Sequence, residues 1–423
     1  MLQDNIPQIW NELEKCQFKV STDTRKDVTG SIYFALKGES FDGNTFIHEA
    51  LKKGSLGAVT DNPEITGENI YLVDNSLEIL QTIATRYRKL FNTLIIAIGG
   101  SNGKTTSKEL IRQVLEAKYK VHTSKENFNN HIGVPLSILS MNPEVEIGLF
   151  EIGANHSGEH TKLLNILEPT IVIVTNNGMD HLEGFKSPLG VREANKEMYD
   201  WALLHKSLAF VNKNYPDLMK DSENLERILY PVQELSITRS MPLTLSSENQ
   251  EYVTHLVGDY NIENIHLALA VGIHFKIDTD KALTAICQYL PSAKRSQFLE
   301  KGAVKFVIDC YNANPSSMHL SLESFLKSAQ SPRGLILGDM LELGSYSEEE
   351  HRKIVEYISK QKVDCVVFIG ENFKKALIDK DLKYQWFPDS LKAHEWFNSQ
   401  GFKGFAFLLK GSRGVKVEQI LDL

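Results

Sequence analysis

The stretch IIAIGGSNGKTTSKEL, Ile95 to Leu110, combines an apolar strand, a glycine-rich turn and the start of a helix. The apolar run ends at Ile98, three glycines lie within the next five residues, and the helical segment begins near Lys104. Glycine allows several backbone N–H groups to turn toward one anion, and a helix start adds its positive end. The general nucleotide loop has a glycine where this chain has Ile98. The stretch therefore predicts a phosphate-binding loop of a shorter pattern.

Two side chains of this loop suit a nucleoside triphosphate. Lys104 can reach the terminal phosphates, and the Thr105 hydroxyl can ligate a magnesium ion bound to them. The alternative is a plain strand-to-helix turn with a solvated lysine, but strand, glycines, Gly-Lys-Thr and helix occur together. We therefore predict that ATP and Mg²⁺ bind here. The predicted ATP-binding residues of the loop are Gly100, Ser101, Asn102, Gly103, Lys104, Thr105 and Thr106.

The composition is that of an acidic globular protein. Hydrophobic residues make up 42% and charged residues 24% of the 423 residues, a length at which two or three domains are expected. The net charge of -8 argues against a chain that coats nucleic acid. No apolar run approaches the ~18 residues of a membrane span, and the four scattered cysteines favour free thiols. We expect a cytoplasmic protein that neither enters a membrane nor binds nucleic acid.

Alternating strands and helices divide the chain into three stretches. The first ninety residues mix short strands with helical segments. From Leu94, continuous apolar runs alternate with amphipathic helices, as is typical of a parallel sheet covered on both faces, and the alternation restarts after residue 293. We predict an α/β protein of three domains: a small α/β domain at 1-92, a central P-loop parallel-sheet ATPase domain at 93-293, and a C-terminal Rossmann-like domain at 294-423.

Two polar residues follow other apolar runs of the central domain. Glu151 ends the run in EIGLFE, and His181 follows IVIVTNNGMD. Both are predicted at the carboxyl ends of parallel strands, the edge where ligands bind in open α/β sheets. A strand-end glutamate or a lone histidine is usually structural, but together with the phosphate loop these residues indicate a functional site.

The loop Gly-Ser-Asn-Gly-Lys-Thr-Thr at Gly100–Thr106 resembles that of the Mur ligase family of ATP-dependent amide-forming enzymes. The resemblance extends along the chain, from STDTRKDVTGSIYFALKGESFDG near the N-terminus to LLKGSRG near the C-terminus. It implies that Lys104, Glu151 and His181 are catalytic. It also implies that Thr105, Glu151 and His181 are ligands of two magnesium ions.

The same resemblance assigns further residues through matching segments. It implies ATP contacts by Asn261 and Asn264 on one helix, by Arg295, and by Asp309 at the ribose. The residues expected to bind the other substrates are Thr24, Arg25, Asp42, Asn129, Asn130, Tyr311, Asn312 and Asn314. The first three lie in the N-terminal domain, which is expected to hold a UDP group. Simple turn formation remains open for the asparagines of NFNNHIGVPLS.

Five other positions extend or depart from the family pattern. Asn195 stands where the family typically has a lysine that carries a carbamate, and Lys196 follows it. Neighbouring helix residues point ~100° apart, so a carbamate on Lys196 and an ordinary surface lysine both remain open. Tyr260 stands where the family often has a histidine. In LLKGSRG, Lys410 and Arg413 are candidates for binding a substrate carboxylate or phosphate, or are simply charged loop residues.

Within the family, the motifs DCYNANPSSM and GDMLELG resemble those of members that join D-alanyl-D-alanine to UDP-N-acetylmuramoyl-tripeptide. This implies that ATP phosphorylates the tripeptide carboxylate and that the dipeptide amine attacks the resulting acyl phosphate. The product would be the UDP-muramoyl-pentapeptide precursor of peptidoglycan. The alternatives are an amide ligase of the same family with another amino-acid substrate, and a nucleotide-binding relative without ligase activity. We expect a monomer.

Overall fold

The computed structural model describes residues 5–38, 40–125, 127–247, 250–291, 294–377 and 384–421. The chain folds into two compact units. The first consists of the chain up to Ala97, with Lys120–Ala154 and Gly158–Ile171, and the second consists of the remainder. The predicted domain boundary at residue 293 lies outside the described residues, and the three domain ranges remain predictions.

A four-stranded sheet forms the N-terminal part of the first unit. Its elements are α1 (Ile6–Lys15), β1 (Val20–Ser21), β2 (Ile32–Phe34), α2 (Ile47–Lys52), β3 (Gly57–Thr60), β4 (Ile70–Leu72) and α3 (Ser76–Arg88). The strand order is β1-β2-β3-β4, and every pair is parallel. Asn75 caps α3 by accepting hydrogen bonds from the backbone N–H groups of Leu77 and Glu78, as asparagine commonly does at a helix start.

The next stretch of the chain alternates strands with helices. Its elements are β5 (Leu94–Gly99), α4 (Lys104–Glu116), β6 (Val121–Thr123), α5 (Gly133–Leu139), β7 (Ile147–Glu151), α6 (Glu159–Leu167), β8 (Ile171–Val174), α7 (Leu182–Phe185), α8 (Pro188–His205), β9 (Leu208–Asn212), α9 (Pro216–Asp221) and β10 (Arg227–Tyr230). In the first unit β6 pairs with β7 in parallel, and in the second β9 pairs with β10 in parallel. All residues of β7 and β8 are buried, as continuous apolar runs predict.

The next three strands form an antiparallel sheet. It is formed by β11 (Ser236–Ser240), β12 (Leu243–Ser247) and β13 (Gln250–Val253). Two helices come next, α10 (Asn261–His274) and α11 (Thr279–Gln288). Helix α10 contributes a row of buried residues to the core of the second unit.

The C-terminal sheet has six strands. Its elements are β14 (Gln297–Lys301), β15 (Val304–Asp309), α12 (Pro315–Ser328), β16 (Arg333–Gly338), α13 (Ser347–Ser359), β17 (Cys365–Ile369), α14 (Glu371–Leu377), β18 (Gln385–Phe387), α15 (Ser390–Gln400) and β19 (Ala406–Lys410). The order is β14-β15-β19-β16-β17-β18. Only the edge strand β14 is antiparallel to its neighbour among the pairs described. The C-terminal ends of the three parallel strands β15, β16 and β19 therefore lie at the same edge of the sheet.

The structure confirms the predicted α/β class with parallel-sheet architecture. All four cysteines carry free thiols, as their spacing predicted. Within the residues that the structure describes, no helix is both long and apolar enough to cross a membrane.

Candidate active site

The conformation of the phosphate loop, Gly100–Thr106, requires glycine at two positions. Gly100 has φ +107° and Gly103 has φ +81°. Residues with a Cβ atom rarely adopt such positive φ values. A Cβ atom at Gly100 would clash with Thr175, and one at Gly103 would clash with the Asn264 side chain. The loop can thus adopt this path only with the glycines that the sequence supplies.

The residues after β8 fix the loop in place. Ser101 N donates to the Asn176 carbonyl at 2.9 Å, and Asn102 N donates to Asn176 Oδ1 at 3.1 Å. The Asn176 amide in turn donates to the Asn102 carbonyl at 3.1 Å. Asn176 was not predicted as a site residue, although its position directly after a buried strand was visible in the sequence.

Donor groups of the loop are arranged as a phosphate site requires. Helix α4 begins at Lys104, and no side chain caps its start. The first N–H groups of a helix have no partner within the helix and are donors for a ligand at its start. The Lys104 ammonium donates to the carbonyls of Gly100 and Ser101. The Ser101 hydroxyl oxygen is buried and has no hydrogen-bond partner among the described residues. An anion with several oxygens fits these donors.

The two asparagines of α10 brace the first turn of α4. Ser107 Oγ donates to Asn264 Oδ1 at 2.9 Å, and Asn264 Nδ2 donates to Asn261 Oδ1 at 2.9 Å. Asn261 Nδ2 donates the last hydrogen bond of this series to the Val257 carbonyl at 2.8 Å. The structure therefore brings Asn264 against the phosphate loop, while the predicted adenine contact remains a prediction.

His181 is paired with a carboxylate from the C-terminal part of the chain. Its Nδ1 lies 2.8 Å from Glu342 Oε2, and this contact holds the pKa of Glu342 below its usual value. The backbones meet as well, because Glu183 N donates to the Glu342 carbonyl at 3.0 Å. Glu342 belongs to the motif GDMLELG and was missed as a site residue, since nothing in the sequence shows which loop it contacts.

Glu151 is held within the first unit by two neighbours. Asn129 Nδ2 donates to Glu151 Oε1 at 3.1 Å, and the backbone N–H of Glu151 donates to Ser124 Oγ at 3.2 Å. The carboxylate is buried at the end of β7. Asn129 and Glu151, both predicted site residues, are therefore in contact.

Two of the predicted metal ligands, Thr105 and Glu151, offer the oxygen atoms that magnesium prefers, whereas the His181 imidazole is a softer donor. No group of three or more His, Cys, Asp or Glu side chains is arranged to hold a metal ion among the residues described. Magnesium bound to nucleotide phosphates takes only one or two protein carboxylates, however. Next to His181, the carboxylate atom Asp180 Oδ1 is buried without a hydrogen-bond partner among the described residues. The oxygen atoms of these side chains fit Mg²⁺, and the ligand assignments remain predictions.

Asp309 and Lys410 form a buried ion pair at the end of β15 and β19. Lys410 Nζ lies 2.6 Å from Asp309 Oδ2, and Ser321 Oγ donates to the same oxygen at 2.8 Å. Burial by itself raises the pKa of Asp309, but the ammonium and the hydroxyl hold it below its ordinary value. Lys410 is only 1% exposed, so it belongs to the interior of the sheet rather than to an anion-binding surface.

Tyr311 lies beside two arginines. The guanidinium carbon of Arg295 is 3.2 Å from the centroid of its ring, and that of Arg413 is 5.5 Å away. Asn312 is exposed, and its Oδ1 accepts a hydrogen bond from Ala313 N at 2.9 Å. Asn314 Nδ2 donates to Asn102 Oδ1 of the phosphate loop at 2.8 Å. This loop thus runs from the arginines to the phosphate loop.

The remaining predicted residues of the first unit are engaged in local structure. Arg25 forms a two-pronged ion pair with Asp23, which lowers the pKa of that carboxyl to about 2. The Thr24 side chain is buried. Asp42 and Asn130 each accept hydrogen bonds from nearby backbone N–H groups, Asp42 from Asn44 and Asn130 from two residues at the start of α5. Asn130 therefore performs the turn function that was left open, and contacts with substrate remain predictions.

Asn195 and Lys196 point in different directions from α8. Asn195 is buried, and its Nδ2 donates to Asn177 Oδ1 at 2.9 Å. Lys196 pairs with Asp200 one turn later, with 40% of its side chain exposed. This geometry favours the surface-lysine alternative.

Tyr260 is the other departure from the family pattern. Its hydroxyl lies 2.9 Å from Ser296 Oγ, and burial raises the pKa of Tyr260.

A glycine-rich loop that enters a helix at a lysine, directly after a buried strand, defines a P-loop nucleotide-binding protein. Residues 98–272 match the Mur ligase middle domain. Residues 294–413 match the glutamate ligase domain of the Mur ligases. A relative from Bacillus subtilis is 31% identical over 435 residues, covering 95% of this chain and 92% of its own length. The chain belongs to the Mur ligase family.

The names of similar proteins specify one branch of the family. The Bacillus subtilis relative is named UDP-N-acetylmuramoyl-tripeptide--D-alanyl-D-alanine ligase. The crystal structure of MurF ligase from Thermotoga maritima in complex with ADP has a TM-score of 0.82 at 25% identity, covering 96% of this chain and 97% of that one. MurF from Acinetobacter baumannii has a TM-score of 0.85 at 24% identity, covering 97% of both chains, and shares the fold.

Proposed function

We propose that this chain is an ATP-dependent amide ligase that joins D-alanyl-D-alanine to UDP-N-acetylmuramoyl-tripeptide. The products are the UDP-muramoyl-pentapeptide precursor of peptidoglycan, ADP and phosphate. The observation that carries the proposal is the full-length similarity to the Bacillus subtilis ligase of that name. The ADP in the Thermotoga maritima relative and the phosphate loop described above support ATP as the nucleotide.

The first half-reaction is a phosphoryl transfer. An oxygen of the tripeptide carboxylate attacks the γ-phosphorus of ATP, the bond to the β–γ bridging oxygen breaks, and ADP leaves. Backbone N–H groups of Gly100–Thr106 bind the phosphates, and Lys104 turns from the loop carbonyls to the terminal phosphates. Magnesium, when bound, neutralises phosphate charge, and Thr105, Glu151 and His181 are the proposed ligands.

The second half-reaction forms the amide bond. The unprotonated amine of D-alanyl-D-alanine attacks the acyl carbon of the acyl phosphate, the carbon–oxygen bond to phosphate breaks, and inorganic phosphate leaves. The nitrogen releases its surplus proton to solvent. Because the acyl phosphate hydrolyses in water, the residues around it must exclude solvent during this step.

Phosphate release tests the proposal directly. Purified protein is incubated with ATP, MgCl₂ and UDP-N-acetylmuramoyl-tripeptide, and we expect phosphate only after D-alanyl-D-alanine is added. Equal release with and without the dipeptide would contradict the ligase function. Release with L-lysine, diaminopimelate or L-glutamate in place of the dipeptide would identify another ligase of the family. Removal of Mg²⁺ by EDTA should stop the reaction, and added Mg²⁺ should restore it.

The remaining expectations from the sequence belong to this proposal. The enzyme acts as a monomer in the cytoplasm, and the residues Thr24, Arg25 and Asp42 lie in the domain that holds the UDP group. Light scattering coupled to size exclusion tests the monomer. Protection of the N-terminal residues from hydrogen exchange by UDP-N-acetylmuramoyl-tripeptide tests the location of the UDP group.

A further inference from the structure

The loop between β16 and α13, residues 339–346, carries Glu342 in an unusual backbone conformation. Glu342 has φ +64°, a left-handed value that is uncommon for a residue other than glycine. Its carboxylate contacts His181 Nδ1, and its carbonyl accepts a hydrogen bond from Glu183 N. A strained residue keeps such a conformation only where its surroundings hold it, and strained residues are concentrated at functional sites. The groups that hold the β16–α13 loop therefore determine whether Glu342 reaches His181.

Two buried side chains hold the backbone directly before Glu342. Met340 N donates to His351 Nε2 at 3.0 Å, and Leu341 N donates to Ser412 Oγ at 2.9 Å. His351 belongs to α13 and is 0% exposed, and Ser412 is 2% exposed. Because the two side chains bind consecutive N–H groups, the chain enters Glu342 from a fixed direction.

The partners of His351 determine its tautomer. Nδ1 lies 2.6 Å from the carbonyl oxygen of Ser347, which can only accept, so Nδ1 carries the ring proton. Nε2 is then the unprotonated nitrogen, and it accepts from Met340 N. Asp339 Oδ1 lies 3.7 Å from Nε2, outside hydrogen-bonding distance, and accepts from Phe373 N at 2.9 Å instead. His351 thus uses one ring nitrogen as a donor and the other as an acceptor, a combination that no apolar core residue supplies.

We propose that His351 is a positioning residue of the active site, which holds the β16–α13 loop so that the Glu342 carboxylate meets His181. This inference rests on the proposed function and deepens it, because His181 is a proposed ligand of the magnesium that neutralises phosphate charge. A carboxylate behind a metal-binding histidine fixes the orientation of its ring. A displaced Glu342 would therefore leave the His181 ring without that support, and the metal would bind more weakly.

The test measures the affinity of the ADP complex for Mn²⁺ by electron paramagnetic resonance in three variants of His351. Glutamine places its amide oxygen as many bonds from Cα as Nε2 of histidine, so His351→Gln can still accept from Met340 N. The oxygen of His351→Asn is one bond closer to Cα and falls short, and His351→Leu has no acceptor. We expect the dissociation constant of Mn²⁺ to rise about 10-fold in His351→Asn and His351→Leu, the size expected when a group that supports a metal ligand is lost. In His351→Gln it should stay close to that of the unaltered protein.

A control variant separates positioning from loss of stability. Ile358→Ala removes volume from the same helix, about two turns beyond His351, at a residue that is 1% exposed. It should lower the denaturant midpoint and leave the affinity for Mn²⁺ unchanged. An equal loss of affinity in Ile358→Ala and His351→Asn would indicate a purely structural role and overturn the inference, as would an unchanged affinity in His351→Asn. Since His351→Asn keeps a polar side chain, it provides the test even where His351→Leu does not fold.

A double-mutant cycle tests whether His351 acts through Glu342. Glu342→Gln alone should weaken Mn²⁺ binding, and the addition of His351→Asn should weaken it no further, because the contact that His351 supports is already lost. Additive losses would mean that His351 acts by another route. An unchanged affinity in Glu342→Gln would remove the group through which His351 is proposed to act. Either result overturns the inference.

The Mn²⁺ measurement needs no turnover, so it separates this inference from the proposed function. If the variants show the expected order of Mn²⁺ affinities but the unaltered protein releases no phosphate with the dipeptide, the inference is supported and only the proposed function is overturned. Dipeptide-dependent phosphate release with equal Mn²⁺ affinity in all His351 variants overturns only the inference. Absence of both phosphate release and Mn²⁺ binding to the ADP complex overturns both.

Discussion

Asn314 Nδ2 donates a 2.8 Å hydrogen bond to Asn102 Oδ1, and so joins the C-terminal sheet to the phosphate loop. The oxygen of the same side chain caps α12 by accepting from Ser317 N at 2.8 Å. One amide group therefore fixes a helix start with its oxygen and the phosphate loop with its nitrogen. The nucleotide site depends on a residue more than two hundred positions away in the chain.

The substitution Asn314→Asp separates these two tasks. Aspartate caps a helix as well as asparagine does, so we expect thermal stability to change little. The new carboxylate faces Asn102 Oδ1 with no proton to donate, and it adds negative charge near the phosphates. KM for ATP should therefore rise about 10-fold, which is the size expected when one hydrogen bond is lost. Asn75→Asp, at the cap of α3, is the control, and an unchanged KM for ATP in Asn314→Asp would refute the link.

Glu342 is expected to orient His181 for its predicted metal contact. The contact between His181 Nδ1 and Glu342 Oε2 leaves Nε2 as the ring nitrogen that can face a ligand. Loss of such a supporting carboxylate typically costs about 10- to 100-fold in metal affinity or activity. We expect Glu342→Gln to raise the Mg²⁺ concentration for half-maximal activity, and to weaken Mn²⁺ binding to the ADP complex measured by electron paramagnetic resonance. Glu183→Gln, at an exposed neighbour, should do neither; equal effects of the two variants would show that Glu342 has no special role.

Lys196 should be dispensable for catalysis. It is paired with Asp200 on the outside of α8, while Asn195 occupies the inward position. We expect Lys196→Ala to retain activity within a factor of about two, since exposed helix ion pairs contribute little. Removal of bicarbonate should also have no effect on the unaltered protein. A large loss in Lys196→Ala that short carboxylic acids restore would show that Lys196 carries a carbamate.

Asp309 and Lys410 should contribute mainly to stability. Removing one partner leaves an uncompensated buried charge, which typically costs about 3–5 kcal/mol. We expect Asp309→Asn and Lys410→Met each to lower the denaturant midpoint strongly, and the double variant to be more stable than the sum of the two losses implies. If Asp309→Asn instead unfolded at the same midpoint and bound ADP more weakly, the carboxylate would serve the ribose, as the family resemblance implies.

The phosphate loop was predictable because its determinants are local. The strand, the glycines and the lysine are adjacent in the chain, and the structure shows that side chains at Gly100 and Gly103 would clash with Thr175 and Asn264. The parallel sheets were predictable for a similar reason, since strands buried on both faces are continuous apolar runs. Patterns within one short segment were therefore sufficient for the α/β class.

The partners of the site residues were not predictable from local patterns. Glu342 meets His181, and Asn314 meets Asn102, only because separate loops pack together in the folded chain. No local pattern indicates that Lys410 is buried against Asp309 while Arg413, three residues later, is exposed. Identifying a charged residue is possible from sequence, but assigning it to an ion pair or a ligand requires its neighbours.

His266 should make the stability of the protein depend on pH. It is 7% exposed within α10, its Nδ1 has no hydrogen-bond partner among the described residues, and burial lowers its pKa to about 4 from 6.5. Between these values the unfolded chain binds a proton that the folded protein does not. The stabilisation is therefore fully present above pH 6.5 and is lost as the pH falls toward about 4, by on the order of 3 kcal/mol.

The substitution His266→Gln tests this pH dependence, because glutamine does not titrate. The melting temperature of the unaltered protein should fall more steeply between about pH 7 and pH 4.5 than that of His266→Gln. Burial also lowers the pKa of half-buried His122 and of buried His351, but both are present in the two proteins, so the difference between the two curves isolates His266. His131→Gln, at an exposed position, should give a curve parallel to that of the unaltered protein. Parallel curves for His266→Gln as well would mean that His266 binds its proton over the same pH range in the folded and the unfolded protein.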